Sequence, residues 1–313
     1  MSSSIRKVLK LIFFPIVLIR KRYILEKNKK MGLRNPEKLA KKLYKKVFNN
    51  ELDLKEPKDL NEKIIWLNLY SDTSQWIVLV DKYKVREYVK QCGLEHMLVK
   101  LYGVWNNSDD IDFKKLPESF VLKTNNACET VVLVKDKALL NISKTKKQLK
   151  NWLKWTDFGI NSAVLHYSKI KPLIIAEEFL EESNSEYSSS LIDYKFWCFN
   201  GKPYNAFICY DRTKNSLGIT LYDLNWTNIS DNLIANDHYH VGKDIPKPKS
   251  FNEMINACYI LSKDFPEVRV DFYEINGKPY FGELTFISAA GRMTYFTPEY
   301  LLELGSIIKL QNK

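Results

Sequence analysis

Apolar positions along this chain change their spacing near residue 115. Before that point they recur at helical intervals. Asn35-Pro36 reads as an N-cap followed by the first helical residue, and predicts a helix to about Phe48. Residues 59–70 and 74–91 predict two more helices, the second closed by Gly93. From Phe120 the texture is that of strands: FVLKT, ETVVLVKD, PLIIAEEFL, DYKFWCF, NAFICY, EVRVDFY and PYFGELTF are short β-rich runs. Between them helices are expected near 143–155 (Ser143 cap), 250–264 (Ser250 cap) and 297–310 (Thr297 cap, then Pro298). Strand runs with few intervening helices predict an α+β fold with mostly antiparallel sheets. The expected organisation is an arm over 1–30, a helical region over 31–115 and a principal domain over 116–313. The tract SNSEYSSS (183–190) is the best loop or hinge.

The pentapeptide Asn-Gly-Lys-Pro-Tyr occurs at 200–204 and again at 276–280, where Asn-Gly is a strong hairpin signal. Nothing else around the copies matches, so shared turn chemistry is expected and not duplication. In the second hairpin, 268–286, a three-residue loop Asn276-Gly277-Lys278 sets Ile275 opposite Pro279, Asp271 opposite Glu283, and Arg269 opposite Thr285. Val268, Val270, Phe272, Leu284 and Phe286 then share the other, apolar face. A two-residue loop would send Asp271 and Glu283 to opposite faces. Directly opposed carboxylates repel and are most naturally reconciled by a cation between them. With no His or Cys nearby, oxygen donors favour Mg²⁺ shared with phosphate, and Arg269 beside them would meet phosphate or a developing oxyanion. The alternative is a solvated polar face with Arg269 paired to one acid.

Composition narrows the classes. The 313 residues are 45% apolar and 27% charged, an ordinary globular balance. Five Cys without C-x-x-C spacing and four His without H-E-x-x-H argue against a disulfide scaffold or a zinc site. The net charge of +11 is local: residues 1–46 hold 15 Lys/Arg against 2 Asp/Glu, and the other 267 residues hold 33 against 35. A nucleic-acid partner is not expected, because the basicity belongs to one terminal arm and not to a folded groove. That arm carries a nine-residue apolar run, Leu11–Ile19, with Pro15 inside it and Lys/Arg on both sides. It is too short to span a bilayer, which needs about 20 residues, and no small-residue cleavage site follows it. It reads either as a peripheral anchor on anionic lipid or as a docked helix with a solvated basic flank.

Other signals are weaker. Asp157-Phe158-Gly159 imitates a kinase triplet, but no H-R-D-L-x-x-x-N loop precedes it, and the nearby Trp152 and Trp155 suggest the end of a packed helix. Asp109-Asp110-Ile111-Asp112 could be the acidic metal motif of a glycosyltransferase or an acidic turn. His166 and Tyr167 could touch an acceptor, although a satisfied buried imidazole suits His166 equally well. Arg212 could bind an anion or form a surface ion pair, and Gly291-Arg292 could belong to an acceptor loop.

Taken in order, Lys123 in FVLKTN, IIAEEFL, DYKFWCFNGKP, RVDFY and FGELTF resemble the ATP-grasp superfamily, and within it the TupA-like branch named for teichuronopeptide biosynthesis. The likeness covers roughly residues 75–310, with DKYKVREYV near its start. It implies an ATP-grasp fold in which two α+β subdomains sandwich ATP, with the subdomain hinge near 178–190. By resemblance Lys123 holds the α/β-phosphates, Glu177, Glu178, Phe179 and Leu180 form the segment that meets adenine, Asp193 holds ribose and Lys195 reaches a phosphate. Asp271, Glu283 and Thr285 match the Mg²⁺ ligands, and Arg269, with Lys123, the catalytic cations. Two departures stand out. The phosphate loop Asn125–Thr130 has no glycine, and Glu283-Leu284-Thr285 replaces the usual Glu-x-Asn. The implied function is an ATP-dependent carboxylate–amine ligase working through an acyl-phosphate. Its substrates would be a surface-polysaccharide or capsule carboxylate and an amine such as an amino acid, at the inner face of the cell membrane. The rivals are a membrane-associated glycosyltransferase and an inactive ATP-grasp-like glycan-binding protein.

Overall fold

A computed structural model describes the backbone over 3–181 and 186–310 and the side chains over 19–181 and 186–310. Helix α1 (Ser3–Arg34) runs into α2 (Pro36–Phe48), where Asn35 Oδ1 accepts the Lys38 amide at 2.8 Å and Pro36 opens the helix as expected. Asp59 caps α3 (Leu60–Tyr70) in the same way, accepting from the Glu62 amide. The single helix expected over 74–91 is two, α4 (Trp76–Leu79) and α5 (Val85–Gln91). Asp81 makes the break: its buried carboxylate accepts the amides of Tyr83 at 2.9 Å and Lys84 at 3.2 Å, and such local bonds compete with the helix. The Lys82 amide consequently turns outward, to Asn125 O.

Two sheets follow. The smaller contains β1 (Leu101–Trp105), β2 (Phe120–Thr124), β3 (Val131–Val134) and β4 (Ile174–Glu178), in the antiparallel order β1-β4-β2-β3. Between β3 and β4 lie α6 (Ile142–Leu153) and the short α7 (Phe158–Asn161). Asn141, not Ser143, caps α6. Strand β1 falls inside the stretch expected to be helical; all five of its residues are half-buried, so it has no alternation to read.

The larger sheet contains β5 (Asp193–Phe199), β6 (Lys202–Tyr210), β7 (Leu217–Asp223), β8 (Tyr239–Val241), β9 (Glu267–Ile275) and β10 (Lys278–Thr285), in the order β10-β9-β5-β6-β7-β8. Every pairing is antiparallel except β7 with β8. Neither β7 nor β8 was anticipated. The first is buried on both faces over six of its seven residues, and the second is three residues long. Helices α8 (Phe251–Ser262) and α9 (Pro298–Ile307) complete the chain. Ser250 does not cap α8; its amide and hydroxyl both donate to Glu274.

Both Asn-Gly pairs make two-residue turns with positive φ, 49° and 76° at Asn200-Gly201 and 53° and 78° at Asn276-Gly277. The three-residue loop expected at 276–278 is therefore corrected: Lys278 pairs with Ile275, and Pro279 with Glu274. Each hairpin then has a register shift, which leaves Tyr204 unpaired in the first and Gly282 in the second.

Two hydrophobic cores result. Phe120, Leu122, Ile174 and Ala176 pack with Leu149 of α6 on one face of the small sheet. The other core joins the N-terminal helices directly to the large sheet, with Leu39, Leu60 and Ile64 in one cluster with Trp197, Phe286 and Met293. Trp76 stacks on Phe286 at 4.7 Å, and Asn61 exchanges two hydrogen bonds with the Met293 backbone. Of the serine tract, 183–185 lie outside the described residues. Ser188 and Ser190 hydroxyls accept the amides of Asp211 and Arg212, which docks this part of the tract on the end of β6.

Candidate active site

The polar face of the large sheet is built across three strands. Lys195 on β5 pairs with Asp271 on β9, and Asp271 with Glu283 on β10. Trp197, Arg269 and Thr285 form the next row. Asp271 and Glu283 thus do face each other, but because the Gly282 bulge undoes the reversal that a two-residue turn imposes. The side chains of Lys195 and Arg269 are close to buried. Lys195 Nζ lies 2.6 Å from Asp271 Oδ2, and Arg269 binds the same carboxylate in bidentate fashion, Nε to Oδ1 and Nη2 to Oδ2, both at 2.7 Å. The Arg269 guanidinium also donates to Ser288 and Thr285 and lies over the Trp197 ring.

Lys82 was not identified from the sequence as a site residue. The Asp81 turn carries it to Glu283 Oε2 at 3.3 Å, and it also donates to Ala127 O in the phosphate loop. It stands in the fields of both Glu283 and Glu177, between the two sheets. Its signal was the Asp at the centre of an otherwise helical run. Burial disfavours the Glu283 carboxylate, but Lys82, Lys195 and Arg269 outweigh burial and hold it down to about 2. Burial likewise opposes the Lys195 and Lys82 ammonium groups. Asp193 and Asp271 for the first, and Glu283 for the second, reverse the balance and raise both.

On the small sheet Lys123 Nζ meets Glu177 Oε2 at 2.5 Å, and Arg86 approaches Glu177 Oε1 at 3.4 Å while donating to Val99 O. Glu177 thus points its side chain at cations, while Glu178, Phe179 and Leu180 continue half-buried beyond it. Val121 lies between Glu177 and Leu133, and Lys123 pairs with Val131. Val131 and Leu133 are exposed, Leu133 by 63%, an apolar strip beside Lys123 on the face opposite the small core. Asp193 is bonded by Arg212, with Lys195 at 3.8 Å. Arg212 is therefore an ion-pair partner.

The loop Asn125–Thr130 holds its shape without glycine. Asn125 is buried and bonds the backbone of Leu173 and Lys171 through its side chain, and the Thr124 and Thr130 hydroxyls meet at 2.6 Å. Glu129 takes φ of 59°, a left-handed conformation that glycine adopts without strain. Tyr167 stands in the field of Cys128, Glu283 and Arg269, so it borders the site, whereas His166 is buried against Trp76. Neither His166 ring nitrogen has a hydrogen-bond partner, and burial pushes the imidazole down to about 3. Burial also lowers Arg292, to about 10, where it donates to Ala290 O and Ser162 O.

Among the described residues no group of three His, Cys, Asp or Glu forms a metal cluster. The Asp271 and Glu283 carboxylates and the Thr285 hydroxyl are nevertheless hard oxygen donors on one face. Both Asp271 oxygens are already held by Arg269 and Lys195, so a Mg²⁺ completed by phosphate oxygens and water would rest chiefly on Glu283 and Thr285 and share Asp271 with those cations. The rival motifs are absorbed structurally. Asp112 caps a turn at Lys114, Asp109 pairs with Lys150, and Asp157 pairs with Lys29.

Residues 62–309 match the family described as TupA-like ATPgrasp. The chain belongs to the TupA-like ATP-grasp family. No curated protein matches it. Among solved structures it is similar to D-alanine–D-alanine ligase from Bacillus anthracis, at 16% identity and TM-score 0.43 over 74% of this chain and 63% of that one. The same enzyme complexed with ATP matches at 15% and 0.41, over 73% and 60%. Phosphoribosylamine–glycine ligase from Thermotoga maritima matches at 12% and 0.40, over 70% and 52%. The chain thus spans 52–63% of the length of these three proteins.

Proposed function

We propose that this ATP-grasp protein is an ATP-dependent carboxylate–amine ligase whose acid substrate belongs to a surface polysaccharide or its precursor. The observation that carries the reading is the row Lys195–Asp271–Glu283 flanked by Arg269 and Lys82. It concentrates cations around two carboxylates. Family membership supports the nucleotide. The apolar strip of Val121, Val131 and Leu133 suits a purine ring, with Lys123 alongside for the phosphates.

A Mg²⁺ held by Asp271, Glu283 and Thr285 would neutralise phosphate charge. Lys195, Lys82 and Lys123 would supply the cations that meet the phosphate oxygens. A substrate carboxylate oxygen forms a bond to the γ-phosphorus as the bridging P–O bond to ADP breaks. Arg269, fixed by Asp271 and Ser288, then stabilises the oxygen that becomes anionic when an amine nitrogen adds to the acyl carbon. Phosphate leaves with the C–O electrons, and the amine loses its proton. Arg269 is pre-organised for this, since its guanidinium is restrained by three side chains before any substrate arrives.

Calorimetric titration of ATP with and without Mg²⁺, on the wild type and on Asp271→Ala, tests the site. Binding that strengthens with Mg²⁺ in the wild type and loses that dependence in the variant is the expected result. Turnover is then read as ADP and phosphate release that requires both an acid and an amine. ATP binding with no release for any uronate–amino acid pair would sink the ligase reading and favour a binding protein.

A further inference from the structure

We propose that α1 ahead of Asn28, exposed over its described residues 19–27, is a docking arm for an anionic bilayer surface. This does not rest on the ligase reading. The helix is about 48 Å long, and among its described side chains those that root it lie at the carboxy-terminal end. From Ile19 to Lys27 every residue is exposed, and Asn28 is the first buried one. The root is firm. Asn28 accepts from Lys42 at 2.9 Å, Lys29 pairs with Asp157 at 2.7 Å, and Gly32 lies so close to Ile160 O that a Cβ would stand 2.4 Å from it. Over the described side chains the arm therefore stands off the body, which removes the alternative of a docked helix there.

What remains uncovered has a definite chemistry. Ile19 is 70% and Tyr23 66% exposed, with Ile24 and Leu25 also open. Arg20, Lys21, Arg22 and Lys27 are interleaved with them, and Glu26 is the one acid of residues 1–30. The preceding run Leu11–Ile19 is apolar in every residue, so on a helix it is apolar all round and offers no one-sided face for a partner helix. Its rise of about 14 Å is roughly half the hydrocarbon thickness. Among the described residues no helix is long and apolar enough to cross a membrane. An apolar plug between two basic collars fits one leaflet, with the plug in the acyl region and the collars among anionic headgroups. A second copy would set two arms of the same strong positive charge against each other, and a nucleic acid would leave the apolar run in water.

The arm roots on the Tyr167 side of the molecule. Phe158, beside the Lys29–Asp157 pair, packs on Tyr167 at 5.1 Å. Docking would therefore hold the Tyr167 side of the protein near the lipid.

The test is flotation of the full-length protein with phosphatidylcholine vesicles, with and without about one third phosphatidylglycerol. Binding should need the anionic lipid and fall with salt. Arg20→Glu/Lys21→Glu/Arg22→Glu should weaken it about a hundred-fold, and Phe13→Ser/Ile16→Ser should weaken it at high salt as well. ATP affinity in lipid-free buffer should be unchanged in both variants, which shows that they fold and separates this outcome from the fate of the ligase reading. Flotation indifferent to phosphatidylglycerol would overturn the proposal. So would concentration-dependent dimerisation, without lipid, that the Phe13/Ile16 variant abolishes.

Discussion

Glu283 stands directly opposite Asp271 because Gly282 is left out of the ladder between Glu283 and Phe281. The tight Asn276-Gly277 turn alone would have put the two acids on opposite faces of the sheet. The bulge turns a hairpin of ordinary geometry into one with two carboxylates and Thr285 on its polar face, while Leu284 and Phe286 remain in the core.

Substitution at Gly282 should therefore act on the site through the backbone. A Cβ there would lie 3.0 Å from Asp271 O, so Gly282→Ala has to push β9 and β10 apart. The expected cost is about 1–3 kcal/mol in urea unfolding, with a larger fractional loss of Mg²⁺-dependent ATP binding than of Mg²⁺-independent binding. Equal losses of both would show that the bulge serves stability alone.

Much of this site was legible because strand parity is strict. Arg269, Asp271, Glu283 and Thr285 could be assigned to one face from the sequence, even though the expected loop length was wrong. The three-residue loop and the bulge each add one residue to the same strand, and pattern alone does not distinguish them. Lys82 was missed for a different reason: one buried Asp81 broke a run whose apolar spacing was helical. Strands β1 and β7 were missed because alternation vanishes when both faces have similar burial.

Lys82→Met tests the counter-ion role. Glu283 has its ordinary value of 4.5 when unfolded and about 2 when folded. Its contribution to stability is thus fully present above about 4.5 and is lost as pH falls toward 2. Removing one of its three cations raises the folded value toward the unfolded one. The variant should lose stability at pH 7, and its acid decline should be shallower than that of the wild type. Urea unfolding without nucleotide at several pH values from 3 to 7 reads this directly. Parallel curves would mean that Lys82 does not hold the charge of Glu283.

Leu133→Ser separates nucleotide binding from folding. Leu133 is exposed in the free protein, so its loss should leave thermal stability within about 0.5 kcal/mol of the wild type. If adenine covers this strip, the burial lost on binding is about 1–2 kcal/mol, or roughly a ten-fold weaker ATP affinity. Unchanged affinity would move the purine elsewhere.

Glu129→Gly should improve the protein on two counts. Glycine adopts the left-handed backbone at this position without the cost of a Cβ, about 1 kcal/mol. The substitution also removes a negative charge from the loop that, under the proposed function, would approach phosphate. Higher thermal stability together with ATP affinity tighter by several-fold is expected. Higher stability with unchanged affinity would show that the Glu129 carboxylate is turned away from the nucleotide.

Thr285 is the residue that tests the proposed divalent-cation site. Its hydroxyl accepts from Arg269 Nη2 at 3.2 Å and lies 3.4 Å from Glu283 Oε1, so it links the arginine to the acid. An oxygen that already accepts one hydrogen bond has a single lone pair left for a metal, and a hydroxyl is a weaker donor than an amide carbonyl. Thr285→Asn should lower the Mg²⁺ concentration needed for half-maximal ATP binding. Thr285→Val keeps the shape but lacks the oxygen, and should raise it while also loosening Arg269. The two roles separate in turnover: loss of the metal ligand is rescued by excess Mg²⁺, whereas a displaced Arg269 lowers kcat at every Mg²⁺ concentration. Full rescue of Thr285→Val by Mg²⁺ would assign Thr285 to the metal alone, and no response in either variant would exclude it from the metal site.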